Sequence, residues 1–240
     1  MTTVSPLRTA ACRVHNLTIG AAERLHRFKA RTCSCCGWRG LAFRTYTQAE
    51  VFRAGVVCPG CGSFERHRAL ASFYPRLFAD IAVRPARLIH CAPERCLAPV
   101  LRALCDRYET SGFGESTPSD HRLDLTSIAL PSESCDALVM NHVLDCMPRD
   151  AGAAAEMHRV LRPGGVVVAV VTLRSGASEE VPARSNSLRR IYGSADVGER
   201  FAPLDVAIAD AASGMAPRLR RTHGMPVDLP VLVMRKPARA

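Results

Sequence analysis

The sequence is poor in aromatic residues and contains no long apolar run. Phe, Trp and Tyr make up 5% of its 240 residues, whereas 48% of the residues are hydrophobic. The core must therefore consist mainly of Val, Leu, Ala and Ile side chains. No stretch reaches the roughly 18 apolar residues of a membrane-spanning helix, and Thr2–His15 has no apolar segment of signal-peptide length. We expect a cytoplasmic protein with no membrane partner.

Acidic residues are outnumbered by basic ones. The chain has 32 Lys and Arg against 22 Asp and Glu, so its formal charge is +10. A charge of this size suits an anionic partner such as nucleic acid, a phosphorylated metabolite or an acidic protein. However, the arginines are spread from Arg8 to Arg239 without one dense block, and this pattern favours an ordinary solvated surface.

Cysteine is abundant, with eleven residues. In a cytoplasmic protein thiols and metal ligands are more common than disulfides. Two segments, 33–37 and 58–62, each contain C-x-x-C followed by Gly. Two such pairs supply the four thiolates of a tetrahedral Zn²⁺ site, whereas a redox pair or an Fe–S cluster does not explain the matching glycines. We predict structural zinc, without metal catalysis, bound by Cys33, Cys36, Cys58 and Cys61. Cys35 is an alternative to Cys36.

Strand and helix patterns alternate from Arg87 onwards. The predicted strands are Leu88–Cys91, Asp136–Met140, Val166–Val171 and Leu229–Met234. Helices are predicted at Phe64–Phe78, where Pro75 interrupts or ends the helix, at Cys96–Arg107, and around the apolar stripe Ala154, Met157, His158 and Leu161, which Pro163–Gly165 ends. This alternation predicts a parallel sheet with right-handed crossovers. Such sheets bind ligands at the carboxyl ends of their strands, which here include Asn141 and His142.

Four motifs follow one another in a recognisable order. They are FERHRAL (64–70), LIHCAPE (88–94), DALVMNHVL (136–144) and HRVLRPGG (158–165). Together they resemble class I S-adenosylmethionine-dependent methyltransferases of the methyltransferase-11 type, and more narrowly bacterial members with an N-terminal CPxCGS-x-x-RHR zinc module. The resemblance covers residues 33–172. It implies an α/β fold, with a doubly wound Rossmann-like methyltransferase sheet and a small N-terminal zinc ribbon.

The resemblance also implies a division of the chain into domains. A basic N-terminal segment comprises residues 1–30, the zinc ribbon residues 31–66 and the methyltransferase domain residues 67–240. Within the last, residues 175–197 are expected to cover the substrate site. Arg66 and His67 follow the second cysteine pair, and they either dock the ribbon onto the catalytic domain or face the substrate.

The first cofactor-binding loop departs from the family pattern of an acid followed by G-x-G. His90 stands at the position of the acid, Ala92 at the first Gly and Glu94 at the second. Ala-Pro can still form a tight turn, and the Glu94 carboxylate suits the ammonium or sulfonium of the cofactor. The alternative is that Glu94 begins the following helix, where the helix dipole favours an acid.

The remaining cofactor contacts are also implied by the resemblance. Gly112 stands where an acid usually holds the ribose hydroxyls, and Glu115 is a candidate substitute. Asp124 and Leu125 occupy the position that receives adenine, although an Asp in a loop also forms local turns. The predicted cofactor-binding residues are therefore His90, Ala92, Glu94, Gly112, Asp124, Leu125, Asn141 and His142.

Methyl transfer from a sulfonium is an in-line displacement that depends mainly on alignment. His142 is the candidate catalytic base, because an imidazole can take a proton from the acceptor near neutral pH. The alternative is that Asn141 caps the next segment and His142 only lines the cofactor site. Asp145 is a weaker candidate base, and His158 is expected to be structural.

These residues predict a methyltransferase that uses S-adenosylmethionine and structural Zn²⁺ and acts on a small-molecule acceptor, such as a specialised metabolite. One alternative is an rRNA or tRNA methyltransferase whose zinc ribbon and basic surface bind RNA. The other is a non-enzymatic zinc-ribbon protein on a decayed methyltransferase fold, because the acid at Gly112 is missing and the glycine loop is altered.

Overall fold

The structure is a computed structural model that describes residues 13–14, 16–17, 30–48, 51–81, 84–112, 118–147, 150, 152–182 and 188–239. These residues form two compact units. The first unit comprises the chain up to Leu77 together with Arg95–Val100 and Ala211–Leu229, and the second comprises Phe78–Glu94, Leu101–Asp210 and the chain from Pro230. The predicted basic segment 1–30 lies almost wholly outside the described residues. The predicted domain boundaries at 31, 67 and 175–197 stay predictions.

Two antiparallel hairpins carry the cysteine motifs of the first unit. Strand β1 (Arg31–Thr32) pairs with β2 (Arg39–Gly40), and the first motif lies in the turn between them. Strand β3 (Arg44–Gln48) pairs with β4 (Val51–Val57), and the second motif follows β4 directly. The hairpins therefore present both motifs on short, tightly turned segments, as a metal-binding ribbon requires.

Helix α1 (Glu65–Asp80) begins directly after the second cysteine motif. It continues through Pro75, whereas the sequence pattern predicted an interruption there. A proline inside a helix costs about 3 kcal/mol. Leu70, Phe73, Tyr74 and Phe78 are all buried. Burial of such side chains contributes about 1.5–3 kcal/mol each and outweighs the cost of the proline.

The second unit is built on a seven-stranded sheet. Its strands are β5 (Arg87–Cys91), β6 (Arg107–Gly112), β7 (His121–Arg122), β8 (Cys135–Asn141), β9 (Leu161–Val170), β13 (Asp205–Asp210) and β14 (Pro230–Arg235). Their order is β13-β14-β9-β8-β5-β6-β7. Strands β5 to β9 are parallel, and the β13–β14 hairpin adds two antiparallel strands at one edge. The strand order reverses between β5 and β8, as in a doubly wound sheet.

The core of the second unit is aliphatic, as the composition predicts. Leu138 and Met140 of β8 and Val167 of β9 form one buried cluster with Met157 of helix α3 (Ala153–Val160). Because β8 and β9 lie inside the sheet with both faces covered, their sequences read as continuous apolar runs rather than alternating patterns.

Two predicted boundaries differ from the structure for local reasons. Helix α3 ends at Val160 and β9 begins at Leu161, so Pro163–Gly165 lies within the strand instead of ending the helix. A Cβ on Gly165 would lie 2.8 Å from the carbonyl oxygen of Arg162, and only glycine fits there. Helix α2 spans only Ala98–Ala103. It cannot extend to Arg107, because that residue already pairs with Arg87 across the sheet.

A small three-stranded sheet follows the central strands. Strand β12 (Arg190–Gly193) pairs in parallel with β10 (Leu173–Arg174) and antiparallel with β11 (Glu179–Glu180). Helix α4 (Val197–Arg200) comes next, and helix α5 (Pro217–His223) belongs to the first unit. Among the described residues, no helix combines the length and the apolarity needed to cross a bilayer.

We predict that Gly193→Ala destabilises the second unit. A Cβ at this position would lie 2.2 Å from the carbonyl oxygen of Gly176, and backbone cannot yield as a flexible side chain can. Overpacking typically costs about 1–3 kcal/mol, and a clash with backbone lies at the upper end of that range. Gly198→Ala is the matched control, because its Cβ meets nothing within 4 Å. Urea unfolding should show a lower midpoint for the first variant alone, and equal midpoints would contradict the prediction.

Candidate functional site

The four predicted metal ligands lie together in the first unit. The sulfurs of Cys33, Cys36, Cys58 and Cys61 all lie within 4.8 Å of one another, and we call this group the cysteine cluster. The Sγ atoms are 3.7 Å apart for Cys33 and Cys61 and 3.8 Å apart for Cys36 and Cys58. A tetrahedron with Zn–S bonds of about 2.3 Å has sulfurs about 3.8 Å apart. The spacing and the donor chemistry therefore both fit zinc.

The two cysteine motifs adopt the same turn. The amide of Cys33 donates to the carbonyl of Trp38 at 2.8 Å, and that of Cys58 donates to Ser63 at 2.9 Å. In each turn a glycine follows the second cysteine of the motif and adopts the left-handed conformation, with φ of +71° at Gly37 and +73° at Gly62. Glycine adopts this conformation without the steric cost of a Cβ. The repeated turn is typical of paired zinc knuckles.

Charge in the cysteine cluster favours a bound cation. Hydrogen bonds from the Cys35 and Cys58 thiols lower the pKa of Cys33, whereas burial raises the pKa of Cys61 to about 11. Four thiols this close cannot ionise together unless a cation neutralises them. Cys35 is not among the four mutually close sulfurs, so the geometry favours Cys36 as the ligand.

Arg68 adds a fully buried cation to the first unit. Its guanidinium lies 3.8 Å from the centre of the Phe43 ring. It donates to the carbonyl oxygens of His223, Val56, Ser63 and Gly224 at 2.6–3.0 Å. Burial lowers the pKa of Arg68, and negative charge on the nearby Cys33, Cys35, Cys58 and Cys61 opposes that shift. Four thiolates around one dication carry a net charge of −2, which suits a buried guanidinium.

Two left-handed residues mark the strand ends of the second unit. Ala92 follows β5 with φ of +49°, and His142 follows β8 with φ of +54°. The amide of Ala92 donates to the carbonyl of Ser111 at 2.8 Å, and that of His142 donates to Val170 at 2.7 Å. Residues other than glycine rarely adopt this conformation, and they cluster at functional sites. Ala92 thus adopts the tight turn that the first family glycine would otherwise provide.

A hydrogen-bonded chain joins the ends of β5 and β8. The buried His90 contacts Tyr108 through Nδ1 at 2.9 Å and Glu94 through Nε2 at 2.8 Å. Burial raises the pKa of Tyr108 to about 12, so its hydroxyl keeps its proton and donates to Nδ1. Nε2–H of His90 then donates to the Glu94 carboxylate, which also accepts from the Asn141 amide at 3.2 Å.

The hydrogen bonds from His90 and Asn141 fix the orientation of the Glu94 carboxylate. The Glu94 side chain is 20% exposed. Helix α2 begins only at Ala98, so Glu94 does not lie in its first turn. The alternative interpretation, in which Glu94 serves as the first acid of that helix, is therefore wrong. The carboxylate is held in place and remains accessible to a cation.

A second contact orients His142. Its Nδ1 lies 3.1 Å from Oδ2 of Asp145, and the same oxygen accepts from the amide and hydroxyl of Thr172 at 3.0 and 2.9 Å. Burial opposes ionisation, but hydrogen bonds from His142 and Thr172 keep the pKa of Asp145 below its usual value. The side chain of His142 is 42% exposed and that of Asp145 is 1% exposed. A buried carboxylate cannot reach a substrate, so Asp145 is placed to orient the histidine.

The predicted adenine and ribose positions are less complete. Gly112 ends β6, and Glu115 lies outside the described residues. Oδ1 of Asp124 accepts from the amide and hydroxyl of Thr126 at 2.8 and 2.7 Å, so the aspartate forms the local turn of the alternative interpretation. Leu125 is buried in the core. Among the described hydrogen bonds, none connects these residues to Glu94, and their role in cofactor binding stays a prediction.

The family comparison agrees with this geometry. Residues 59–169 match the family model described as methyltransferase domain. This part of the chain is a methyltransferase domain. The matched residues include Cys61 of the second cysteine pair, helix α1 and strands β5 to β8, together with most of β9. The methyltransferase domain thus contains both left-handed turns and the hydrogen bonds that link Tyr108, His90, Glu94 and Asn141.

Sequence and structural relatives extend the comparison. An uncharacterised chloroplastic methyltransferase of Arabidopsis thaliana is 34% identical over 89 residues, which are 35% of this chain and 25% of the relative. The chain thus matches about a quarter of that relative's length. The predicted cytoplasmic location stays a prediction.

Two solved structures share the fold of the methyltransferase domain. One is the Burkholderia thailandensis 1,6-didemethyltoxoflavin-N1-methyltransferase with bound 1,6-didemethyltoxoflavin and S-adenosylhomocysteine. It is 18% identical, has a TM-score of 0.50, and the match covers 72% of this chain and 79% of that one. The other, the YcgJ protein of Bacillus subtilis, is 13% identical with the same TM-score, and the match covers 72% and 100%. The predicted Rossmann-like methyltransferase sheet is confirmed.

Sequence reasoning missed two partners in this site. Tyr108 was not predicted to take part, although it lies on the strand beside β5 in register with Leu88. Asp145 was considered only as a base, although its spacing from His142 signals a side-chain pair. His67 is buried in the first unit, where it accepts from the Phe64 amide at 3.1 Å and contacts Cys96 Sγ at 3.3 Å.

Proposed function

We propose that this protein is an S-adenosylmethionine-dependent methyltransferase that acts on a small-molecule acceptor and is stabilised by zinc in its cysteine cluster. One observation carries the catalytic part. The methyltransferase domain places the Glu94 carboxylate, the Asn141 amide and the His142 imidazole at the carboxyl ends of the neighbouring strands β5 and β8. Ligands bind at this end of a doubly wound sheet, at the point where the strand order reverses.

The negative charge of Glu94 at these strand ends supports cofactor binding. S-adenosylmethionine supplies a methyl group on a sulfonium and carries an ammonium. Glu94 supplies a fixed negative charge for one of these cations, and His90 and Asn141 keep its carboxylate in one orientation. The bound S-adenosylhomocysteine and small-molecule substrate of the Burkholderia enzyme support both parts of the proposal.

Proton removal is the role that the structure suggests for His142. Asp145 is an acceptor only, so it holds the proton of His142 on Nδ1 and leaves Nε2 free to accept a proton from the methyl acceptor. The negative charge of Asp145 also stabilises the imidazolium that forms. A base held in this way suits an acceptor hydroxyl, amine or thiol that keeps its proton until methyl transfer.

Titration calorimetry with S-adenosylmethionine and S-adenosylhomocysteine tests the proposal. We expect the wild-type protein to bind both. Glu94→Gln should weaken binding of S-adenosylmethionine about tenfold, because it removes the charge while keeping an acceptor. Glu133→Gln is the control, because that carboxylate pairs with Lys236 and Arg239 instead.

The outcomes separate the functions. If the wild type binds neither compound, both enzyme functions are excluded and the non-enzymatic alternative remains. If Glu94→Gln and Glu133→Gln bind equally well, Glu94 has no role in cofactor binding. Methylation of an RNA pool, rather than of a metabolite extract, by the wild-type protein would support the RNA methyltransferase.

A further inference from the structure

The positive charge of the chain is concentrated in the first unit. The segments of that unit contain sixteen Lys and Arg against four Asp and Glu, whereas those of the second contain sixteen against eighteen. The whole excess of +10 is therefore carried by the cysteine-rich unit. This distribution differs from the even spread that the sequence suggested, because residues 1–77 alone contain twelve Lys and Arg against three Asp and Glu. It favours an anionic ligand for the first unit.

Part of this charge surrounds a cavity. The cavity has a volume of about 330 Å³ and is lined by Arg31, Pro217, Arg220, Arg221, Gly224, Met225, Pro226 and Val227. We call it the arginine cavity. Its size lies within the range of about 300–1,000 Å³ that is typical of ligand sites. Three of its lining residues are arginines and none is acidic.

The three guanidinium groups retain donors for a ligand. Arg31 donates one N–H to the carbonyl of Arg221, and Arg220 donates one to Val227 at 2.8 Å. Each guanidinium carries five N–H donors, so the two side chains are oriented and still have donors to spare. Within the described part of the chain, none of the three arginines forms an ion pair with an acid.

Part of the cavity wall is fixed by hydrogen bonds to Arg68 and Thr32, which lie near the cysteine cluster. The carbonyls of His223 and Gly224 accept from the buried Arg68, and Nδ1 of His223 contacts the carbonyl of Thr32 at 2.9 Å. Gly224 has φ of +54°, and a Cβ there would lie 2.6 Å from the Phe43 ring. The wall is therefore a fixed part of the first unit.

We infer that the arginine cavity binds a phosphate group. A guanidinium matches two phosphate oxygens with two parallel N–H bonds, and three guanidinium groups around one space favour a multiply charged oxyanion. The cavity is also lined by Pro217, Met225, Pro226 and Val227, whose apolar side chains suit the carbon part of a phosphate ester. The ligand is a phosphodiester of a nucleic acid or a phosphorylated small molecule.

Binding of two probes to the full chain, without S-adenosylmethionine, tests this site independently of methyl transfer. The probes are a fluorescein-labelled single-stranded RNA oligonucleotide, followed by anisotropy, and pyrophosphate, followed by calorimetry. Arg221→Gln is the test variant. Arg218→Gln is the matched control, because Arg218 is an exposed arginine of the same helix that does not line the cavity. Both variants should unfold at the wild-type temperature.

We expect Arg221→Gln to weaken probe binding on the order of tenfold, and Arg218→Gln less than about twofold. For RNA, the slope of log affinity against log salt should fall by about 0.7 for each phosphate that the variant no longer neutralises. RNA binding that pyrophosphate displaces identifies a nucleic-acid phosphate, and pyrophosphate binding without RNA binding identifies a phosphorylated small molecule. Absence of binding by both probes would overturn the inference. Equal losses in the two variants would overturn it as well, because they would indicate diffuse charge rather than a site.

Discussion

Cys36→Ser is expected to remove zinc from the protein and to unfold the first unit, whereas Cys35→Ser should leave both unchanged. Cys36 belongs to the cysteine cluster and Cys35 does not, although the two are adjacent in sequence. Structural zinc supplies about 10–16 kcal/mol of folding free energy in small zinc modules at pH 7. A domain is typically stable by only about 5–15 kcal/mol, so loss of one ligand exceeds what the unit can tolerate.

The measurement is zinc content per chain by mass spectrometry, together with thermal unfolding before and after addition of a chelator. We expect one zinc per chain in the wild type and in Cys35→Ser. Chelation should lower the unfolding temperature of both proteins to that of Cys36→Ser. If Cys35→Ser loses zinc and Cys36→Ser keeps it, the ligand assignment is wrong. If the wild type holds no zinc and does not respond to the chelator, the metal site itself is absent.

The buried arginine gives a reason to expect that this unit depends on bound zinc. Arg68 donates to four carbonyls, and those acceptors are neutral. A buried cation is costly unless nearby negative charge compensates it. Ionised thiols of the cysteine cluster would supply that charge, and bound zinc would make the ionisation of all four favourable. On this proposal, bound zinc, the cysteine cluster and Arg68 stabilise one another.

The parts of the site that were predictable from sequence are those encoded by short-range spacing. Cys33 and Cys36 lie in one turn, as do Cys58 and Cys61, and the glycines that follow them require positive φ. In the same way, the apolar run of β8 stops at Asn141, and this alone locates a strand end. Such signals need no knowledge of which strands are neighbours.

The remaining contacts could not be predicted, because they depend on tertiary neighbours. Tyr108 reaches His90 only because β6 lies beside β5 in register. Thr172 reaches Asp145 only because β9 lies beside β8. The arginine cavity joins Arg31 to residues 217–227, which are far away along the chain. No local pattern records these pairings.

Ala92 shows how a departure from the family pattern can preserve its geometry. The position usually holds glycine, yet the alanine here adopts φ of +49°. The hydrogen bond from the Ala92 amide to the Ser111 carbonyl holds the turn in place. A strain of about 1–3 kcal/mol is tolerated in such positions when the surroundings determine the conformation. The altered loop is therefore no argument against a cofactor site.

His142→Ala is expected to reduce methyl transfer by about 10²–10⁴-fold, the usual contribution of a general base. Binding of S-adenosylmethionine should change less than about twofold if His142 acts as the base, because a base contacts the acceptor, whereas a larger loss would support the predicted cofactor contact of His142. His158→Ala, a substitution on helix α3, is the matched control and should keep full activity. The assay follows transfer of a tritiated methyl group from S-adenosylmethionine into the metabolite extract of cells that lack this protein.

Asp145→Asn separates orientation from chemistry at the same site. The asparagine oxygen can still accept from His142 and Thr172, so the geometry is retained while the charge is lost. We expect a smaller fall in rate than for His142→Ala, with unchanged cofactor affinity, because only stabilisation of the imidazolium is removed. Because the pKa of Asp145 is lowered in the folded protein, its ionised carboxylate contributes stability at neutral pH, and that contribution is lost as the pH falls. The free energy of unfolding of Asp145→Asn should therefore decrease less on acidification than that of the wild type. Unchanged turnover of His142→Ala across the pH range would show that the histidine only lines the site.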